Sequence, residues 1–299
     1  MSLLGKYKQS HVVLKVIQWL GCIFLLSIPV MGSVLLFPQP LSITSLKWIQ
    51  LLQASAMFLL PPLCMAYLWS DQPLQWLSLT PSQGLKTHWI WAVSIMLVAL
   101  PGINLLSHLN QQLTLPAFLE PLEQWMKNQE ENAAQLTEQF MHTTTVLGLI
   151  GNLFLLALMP AVAEELTFRG VLQGLMTKSN RPVPHIAIWC AAILFSAIHM
   201  QFYGFLPRML MGAMFGYALV WTGSMWIPVL MHFTNNAMAV LLYFVSLRAG
   251  WDMDKMDAIG TNDTLWLGIV SLVITSVGIY AFRRSTTMSS ASSRISSGN

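Results

Sequence analysis

Three charged side chains, Glu164, Glu165 and Arg169, lie in an otherwise apolar stretch of the sequence. At the centre of a membrane helix each charge costs about 2.5–3.5 kcal/mol, whereas each large aliphatic residue returns only about 0.3–0.6 kcal/mol. Ionisable residues at such positions are rare and usually functional. Because carboxylates can act as general bases, the first chemistry to consider is proton transfer.

The spacing of these residues gives the two glutamates different roles. Glu165 and Arg169 are four residues apart, so on a helix they share one face and can form an ion pair. Glu164 points about 100° away from Glu165 and has no partner in its own helix, which leaves it able to accept a proton. The alternative is an ion-pair staple between helices, but a staple needs one glutamate rather than two.

Two histidines lie in other apolar segments and add hydrolytic chemistry. His199 follows Phe195 by four residues, and Asn236 follows His232 by the same spacing. A histidine can activate or orient a water molecule, and a histidine and an asparagine can donate to an oxyanion. A glutamate, a histidine and a water molecule together form a hydrolytic set.

The composition requires a membrane around these residues. Of the 299 residues, 55% are hydrophobic and 9% are charged, and the mean hydropathy is +0.59. A soluble domain carries roughly 25% charged residues, so a soluble enzyme is excluded. The formal net charge is +3, with no basic stretch, so we expect no nucleic-acid partner.

The elements that position the cluster are predicted to be membrane helices. A spanning helix needs about 20 mostly apolar residues, and eight segments approach this length: 12–37, 46–69, 88–107, 146–163, 184–201, 205–222, 225–247 and 264–282. We therefore expect an all-α polytopic bundle of about eight transmembrane helices in a lipid bilayer. Glu164 and His199 then fall at different depths, unless segment 184–201 is re-entrant or strongly tilted, or the limits of the spans are wrong.

The chain is expected to divide into five parts. Residues 1–107 form N-terminal transmembrane helices, 108–145 a polar extramembrane loop, 146–247 the catalytic core, 248–282 the last loop and helix, and 283–299 a disordered Ser-rich tail. The polar loop is either a substrate gate or a solvated connector. The distribution of Lys and Arg favours cytoplasmic N- and C-termini.

Three motifs in this order carry a family resemblance: Glu164-Glu165-x-x-x-Arg169, Phe195-x-x-x-His199 and His232-x-x-x-Asn236. They resemble the motifs of the CPBP (CAAX protease and bacteriocin-processing, or Abi) family, which includes the type II CAAX prenyl endopeptidases. Gly170 also fits the usual form of the first motif. The resemblance covers residues 145–240, and each motif lies inside an apolar segment.

The resemblance implies an intramembrane endopeptidase and a role for each motif residue. Glu164 would be the general base that activates water, and His199 would orient that water. His232 and Asn236 would stabilise the oxyanion, with Glu165 and Arg169 in support. The implied substrate is a membrane-associated or hydrophobic peptide or protein.

Two questions stay open in the sequence. No cofactor is expected, but if zinc is bound, its ligands would be Glu164, His199 and His232, although no HExxH helix is present. The competing functions are a proton-coupled transporter, with these groups as a proton relay, and a non-catalytic bacteriocin-immunity or scaffold protein. We expect an integral protein of a prokaryotic cytoplasmic membrane.

Overall fold

A computed structural model describes residues 3–81, 85–178 and 183–296, and within these ranges the chain is helical and has no β-strand. The main helices are α1 Val12–Ser33, α2 Ile43–Trp69, α3 Leu85–Gln111, α4 Glu120–Met141, α5 Val146–Thr177, α6 Pro184–Ala197, α7 Phe205–Thr222, α8 Trp226–Ala249 and α9 Leu265–Ser296. Shorter helical turns lie between them at Val34–Leu36, Pro73–Trp76, Ala117–Leu119, Phe202–Gly204, Met253–Asp257 and Asn262–Thr264. The all-α prediction is confirmed.

Within the described ranges, six helical segments are long and apolar enough to cross a membrane: Val12–Leu36, Ile43–Trp69, Lys86–Gln111, Val146–Thr177, Trp226–Ala249 and Asn262–Thr287. The predicted number of eight is not confirmed. Helix α6 has 14 residues and is about 21 Å long, which is shorter than a hydrocarbon core of about 30 Å. Helix α7 has 18 residues, but Arg208 lowers its mean hydropathy.

The outer surfaces of the first and last long helices are apolar. On α1, Phe24 is 68% exposed and Met31 is 74% exposed, and on α9 Val277 is 62% exposed. An apolar surface of this extent would be unfavourable in water. These surfaces suit the lipid contact that an integral membrane protein requires.

The core joins the second half of the chain to α3. Buried side chains of α3, α7, α8 and α9 pack together around Met96, Phe215, Ile227 and Phe282. On the other side of α5, helices α1 and α2 pack through buried aromatic side chains such as Trp69. The part of α5 over residues 159–175 and the facing side of α8 are therefore enclosed by neighbours, and a polar site between them can be kept from lipid.

The segment 108–145, predicted as a polar loop, is largely helical. Helix α3 continues to Gln111, and α4 begins at Glu120 after a short connection. Glu120 and Glu123 lie in the first turn of α4, where a negative charge is favourable. The side chain of Phe140 is buried near the other end, so this amphipathic helix packs against the bundle.

The last helix reaches farther than expected. Helix α9 continues to Ser296, although the Ser-rich composition predicts disorder over 283–299. The membrane-spanning part already supplies the helix nucleus, and each added residue then gains a backbone hydrogen bond without a new nucleation cost. Residues 297–299 of the predicted tail lie outside the described ranges.

Candidate active site

Helix α5 presents both glutamates from an irregular stretch. The α-helical turns Met159–Glu165 lie between two π-helical segments, Leu153–Leu158 and Leu166–Gln173. π-Helical turns are rare and occur often at functional sites. They widen the helix on both sides of Glu164 and Glu165 and change which side chains share a face.

Glu165 lies at the centre of a polar cluster that links three helices. Its side chain is fully buried, and its Oε1 atom accepts hydrogen bonds from Arg169 Nη1 at 2.7 Å and from His232 Nδ1 at 2.9 Å. Arg169 Nη2 donates to the Gly212 carbonyl of α7 at 2.9 Å, and its guanidinium lies 4.7 Å from the centre of the Phe195 ring. The ion pair expected from the spacing therefore also orients His232.

Glu164 faces the other way and meets both histidines. Its Oε2 atom is 3.9 Å from His199 Nε2 and 3.9 Å from His232 Nε2. That oxygen is buried and accepts no hydrogen bond from the described residues. Both separations are too long for a direct hydrogen bond, but a water molecule with bonds of about 2.8 Å can bridge them.

His199 comes close to Glu164 because α6 ends before the apolar segment does. The apolar segment 184–201 was predicted to be one span, but the helix ends at Ala197, and Met200 adopts a left-handed conformation with φ of 55°. A methionine rarely adopts this conformation, and such residues concentrate at functional sites. His199 therefore lies in the connection after α6, and its Nδ1 donates to the Phe195 carbonyl at 2.7 Å.

The connection between α6 and α7 is held by Asn110 of α3. Its Nδ2 donates to the Phe202 carbonyl, and its Oδ1 accepts from the Leu206 backbone N–H, both at 2.8 Å. The Asn110 side chain is buried, so this pair of bonds fixes the turn that carries His199. This contact could not be predicted from the sequence, because Asn110 lies in a segment predicted as a polar loop.

Asn236 lies on α8, one turn after His232, and its amide is engaged on both atoms. Its Nδ2 donates to the Leu156 carbonyl at 3.3 Å, and its Oδ1 accepts from Asn235 Nδ2 at 3.2 Å. In a regular helix the N–H of residue 160 would reach Leu156, but Pro160 has no N–H. One hydrogen of Asn236 Nδ2 is left for another acceptor.

These side chains line one cavity of about 460 Å³. Its polar lining includes Glu164, His199, Arg208, His232, Asn235 and Asn236. Helix α4 contributes Thr137 and Met141 to the same cavity. A smaller cavity of about 190 Å³, between α2 and α5, also reaches Glu164. The structure thus brings the predicted general base, both histidines and Asn236 together around one space.

The donor set does not form a metal site in this conformation. A catalytic zinc ion takes about three protein ligands. Among the described residues, no group of three or more His, Cys, Asp or Glu side chains is arranged to hold a metal ion. Glu164, His199 and His232, the alternative zinc ligands, therefore do not form a ready ligand shell. The absence of a metal requirement stays a prediction.

Arg208 is a cavity residue that was not among the predicted site residues. It lies in the first turn of α7 and lines the same cavity as Glu164. Its guanidinium donates to the carbonyl and to Oε1 of Gln201, at 3.2 and 2.8 Å. One feature of the sequence could have indicated that Arg208 lies near the site. It follows His199 by only nine residues, after a short connection.

A known protein family matches part of the second half of the chain. Residues 146–238 match the family model "Type II CAAX prenyl endopeptidase Rce1-like". The chain is also similar to the uncharacterized protein YpbD of Bacillus subtilis (strain 168), with 32% identity over 92 residues. That similarity covers 29% of this chain and 43% of the relative, less than half of its length. No solved structure matches the chain.

The matched segment contains all three motifs and every side chain of the Glu164 cluster. Proteins of the Rce1-like family are proteases, so the match supports protease activity in general terms. Together with the apolar helices, it supports an integral membrane protein. The match over residues 146–238 supports the membership of this chain in the CPBP family of CAAX proteases.

Proposed function

We propose that the protein is an intramembrane endopeptidase in which Glu164 activates water for attack on a peptide bond. One observation carries this proposal: the unbonded Glu164 Oε2 lies 3.9 Å from Nε2 of both His199 and His232. The site lies in a cavity between helices that contains no other described carboxylate side chain. The proposed substrate is a membrane-associated or hydrophobic peptide.

The hydrogen bonds define what each imidazole can do. A backbone carbonyl only accepts, so His199 Nδ1 carries the hydrogen in its bond to Phe195. In the neutral ring, Nε2 then accepts a hydrogen bond, and it is directed toward Glu164. His199 can therefore hold one hydrogen of the water while Glu164 takes the other.

His232 differs because a carboxylate holds its Nδ1. Glu165 accepts the Nδ1–H hydrogen bond at 2.9 Å, so the neutral ring can only accept at Nε2. A role of His232 as an oxyanion donor requires the doubly protonated ring. The remaining hydrogen of Asn236 Nδ2 can donate to the oxyanion without any change of protonation.

The proposed reaction balances without another reactant. Water oxygen bonds to the peptide carbonyl carbon while a water proton passes to Glu164, which gives a tetrahedral oxyanion. Asn236, with His232 when it is protonated, stabilises that negative charge. The C–N bond then breaks as the Glu164 proton moves to the leaving amine nitrogen. The first products are a carboxylic acid and an amine, and Glu164 returns to its carboxylate form. The second water proton then passes from the acid to the amine, which gives a carboxylate and an ammonium group.

The first experiment compares cells carrying the wild type with cells carrying Glu164→Gln at matched expression. New peptide N-termini are mapped in the membrane and secreted fractions. We expect a set of termini that disappears in Glu164→Gln and returns when purified wild-type protein is added. Glu131→Gln is the matched control, since Glu131 is an exposed carboxylate on α4 outside the cavity.

The same experiment separates the competing functions. If the sets of peptide N-termini are identical in the two kinds of cell, but cells with Glu164→Gln lose a phenotype that the wild-type protein confers, proteolysis is contradicted. Proton-coupled transport or partner binding is then favoured. A phenotype unchanged by Glu164→Gln would favour a non-catalytic immunity or scaffold protein. For the metal question, cleavage by the purified protein is measured after dialysis against a chelator, together with its zinc content. We expect full activity without stoichiometric zinc.

A further inference from the structure

Arg208 is a charge in the catalytic cavity that the proposed hydrolysis does not use. It is partly buried on α7 and lines the cavity that also contains Glu164 and both histidines. A charged side chain in a membrane protein is costly to bury and commonly marks a path or a site for a charged ligand. This arginine therefore needs a reason beyond the chemistry of Glu164.

The contacts of Arg208 leave most of its donors available. Its guanidinium has five N–H groups, and Gln201 takes one from Nη1 and one from Nη2. In the described parts of the chain, no carboxylate forms an ion pair with Arg208. Glu130 of α4 and Glu164 act on it electrostatically from a greater distance, so its charge is balanced only partly.

The surroundings hold the guanidinium in place. Gln201 binds it from the connection between α6 and α7, and Gly204 lies directly beneath it. A Cβ atom on Gly204 would lie 3.0 Å from Arg208 Nη2, so a side chain there would crowd the guanidinium. Glu130 Oε2 accepts from the Tyr203 backbone N–H at 3.2 Å, which fixes α4 over the same connection. The arginine is therefore positioned in advance of any ligand.

We propose that Arg208 binds a carboxylate of the substrate peptide and thereby holds the scissile bond over Glu164. The proposal rests on the proposed protease function. The planar guanidinium fork matches a carboxylate and can form two parallel hydrogen bonds with it. The carboxylate is either the C-terminus of the substrate or an acidic side chain, because both offer the same pair of oxygens.

The test uses the purified full-length protein in detergent and a proteome-derived peptide library in two forms. One form has free carboxyl groups, and in the other every carboxyl group is amidated. Products are quantified by mass spectrometry for the wild type, Arg208→Gln, Arg208→Lys and Glu164→Gln. Arg248→Gln is the control for loss of a positive charge, since Arg248 is exposed at the end of α8 and outside the cavity.

We expect amidation to lower Glu164-dependent cleavage by the wild type about ten- to a hundredfold, as for loss of a charge-assisted pair. Arg208→Gln should lower cleavage of the free form by a similar factor, mainly through KM, and leave the amidated form unchanged. Arg208→Lys should recover part of the loss, because it keeps the charge without the fork. Arg248→Gln should behave as the wild type.

Individual peptides from the cleaved set then identify the source of the carboxylate. Each is synthesised with an acid or amide C-terminus, and with Glu or Gln in place of each acidic residue. The proposal is overturned if the wild type cleaves both library forms equally, or if Arg208→Gln slows both by the same factor, which would indicate a role at the reacting centre or in folding. If no cleavage depends on Glu164, the protease function itself is wrong, and this proposal falls with it.

Discussion

Glu164 and Glu165 are neighbours in the chain, yet they lie in opposite surroundings. Glu165 is fully buried, and its Oε1 is held by Arg169 and His232. Glu164 retains 17% of its side-chain exposure. Oε2 of both glutamates has no hydrogen-bond partner among the described residues, but that of Glu164 lies 3.9 Å from Nε2 of His199 and of His232, beside the cavity. A carboxylate that is already paired stabilises a structure, whereas an unpaired one beside a cavity is free to react. One helical turn therefore has a framework side, formed by Glu165 with Arg169, and a reactive side, formed by Glu164.

The two sides are coupled through His232. Its Nδ1 belongs to the framework side through Glu165, and its Nε2 faces Glu164. The ring also stacks on Phe215, with centroids 5.5 Å apart. His232 is therefore fixed by groups that do not react, which is how a rigid outer shell keeps a catalytic group within a narrow range of geometry.

The largest expected effect is the loss of activity in Glu164→Gln. Removing the general base should lower the hydrolysis rate about 10²- to 10⁴-fold, while the thermal unfolding of the purified protein stays close to that of the wild type. The amide is nearly isosteric, and no hydrogen bond to Oε2 is lost. Rate and unfolding are measured on the same preparation. A variant that keeps its rate would remove Glu164 from the reactive side.

The sequence predicted which residues form the framework and reactive sides better than it predicted their depths in the membrane. Helical spacing alone assigned Glu165 to Arg169 and left Glu164 unpaired, because a contact between i and i+4 depends only on the local helix. The family resemblance implied that His199 lies near Glu164, but the predicted spans did not show it, because their proximity depends on where α6 stops. That end is determined by the turn at Met200 and by the contact of Asn110, which lies far away in the sequence.

Prediction of the fold succeeded and failed for similar reasons. Hydropathy located the six long apolar helices of the described ranges, since an apolar run of this length has few other stable forms in a membrane, whereas the 22-residue polar helix α4 was predicted as a loop. Hydropathy overestimated the spanning count, because a run such as 184–201 does not show where its helix ends. The place of Arg208 was missed for the same reason: the short connection returns the chain into the bundle, where the charge lines a cavity.

The second effect tests the framework side. Arg169→Met leaves Glu165 as a buried charge without its cation, so we expect a destabilisation of about 3–5 kcal/mol. The double variant Glu165→Leu/Arg169→Met removes both charges and should recover much of that stability, but not the activity, because His232 Nδ1 loses its acceptor. Denaturant unfolding and hydrolysis rates are compared for both proteins. Equal stability of the single and double variants would contradict a buried ion pair.

The third effect distinguishes the two histidines. His199→Gln should lower the rate about 10²-fold, the scale expected when a reacting group is misplaced, with little change in stability. The side chain of His199 retains 26% exposure, and that of His232 retains 7%. His232→Gln should therefore reduce both rate and stability, since Glu165 loses a donor. For each variant, the loss of hydrolysis rate is compared with the loss of unfolding free energy. The same ratio of rate loss to stability loss in both variants would show that the two histidines are equivalent.

The smallest effect concerns the backbone that approaches Arg169. In Gly212→Ala the new Cβ would lie 3.2 Å from Arg169 Nη2 and 3.3 Å from Ala192 Cα. Such crowding of a packed interface costs about 1–3 kcal/mol, and it should reach the activity only through a slight shift of Arg169 and Glu165.

Gly151→Ala is the matched control, because a Cβ there meets nothing within 4 Å. Alanine is the better helix former by about 0.8–1.0 kcal/mol, so this variant should be neutral or slightly more stable. The difference in unfolding midpoint between the two variants isolates the close approach of α7 to the framework side. If Gly212→Ala is as stable as Gly151→Ala, a side chain at position 212 does not crowd the Arg169 guanidinium.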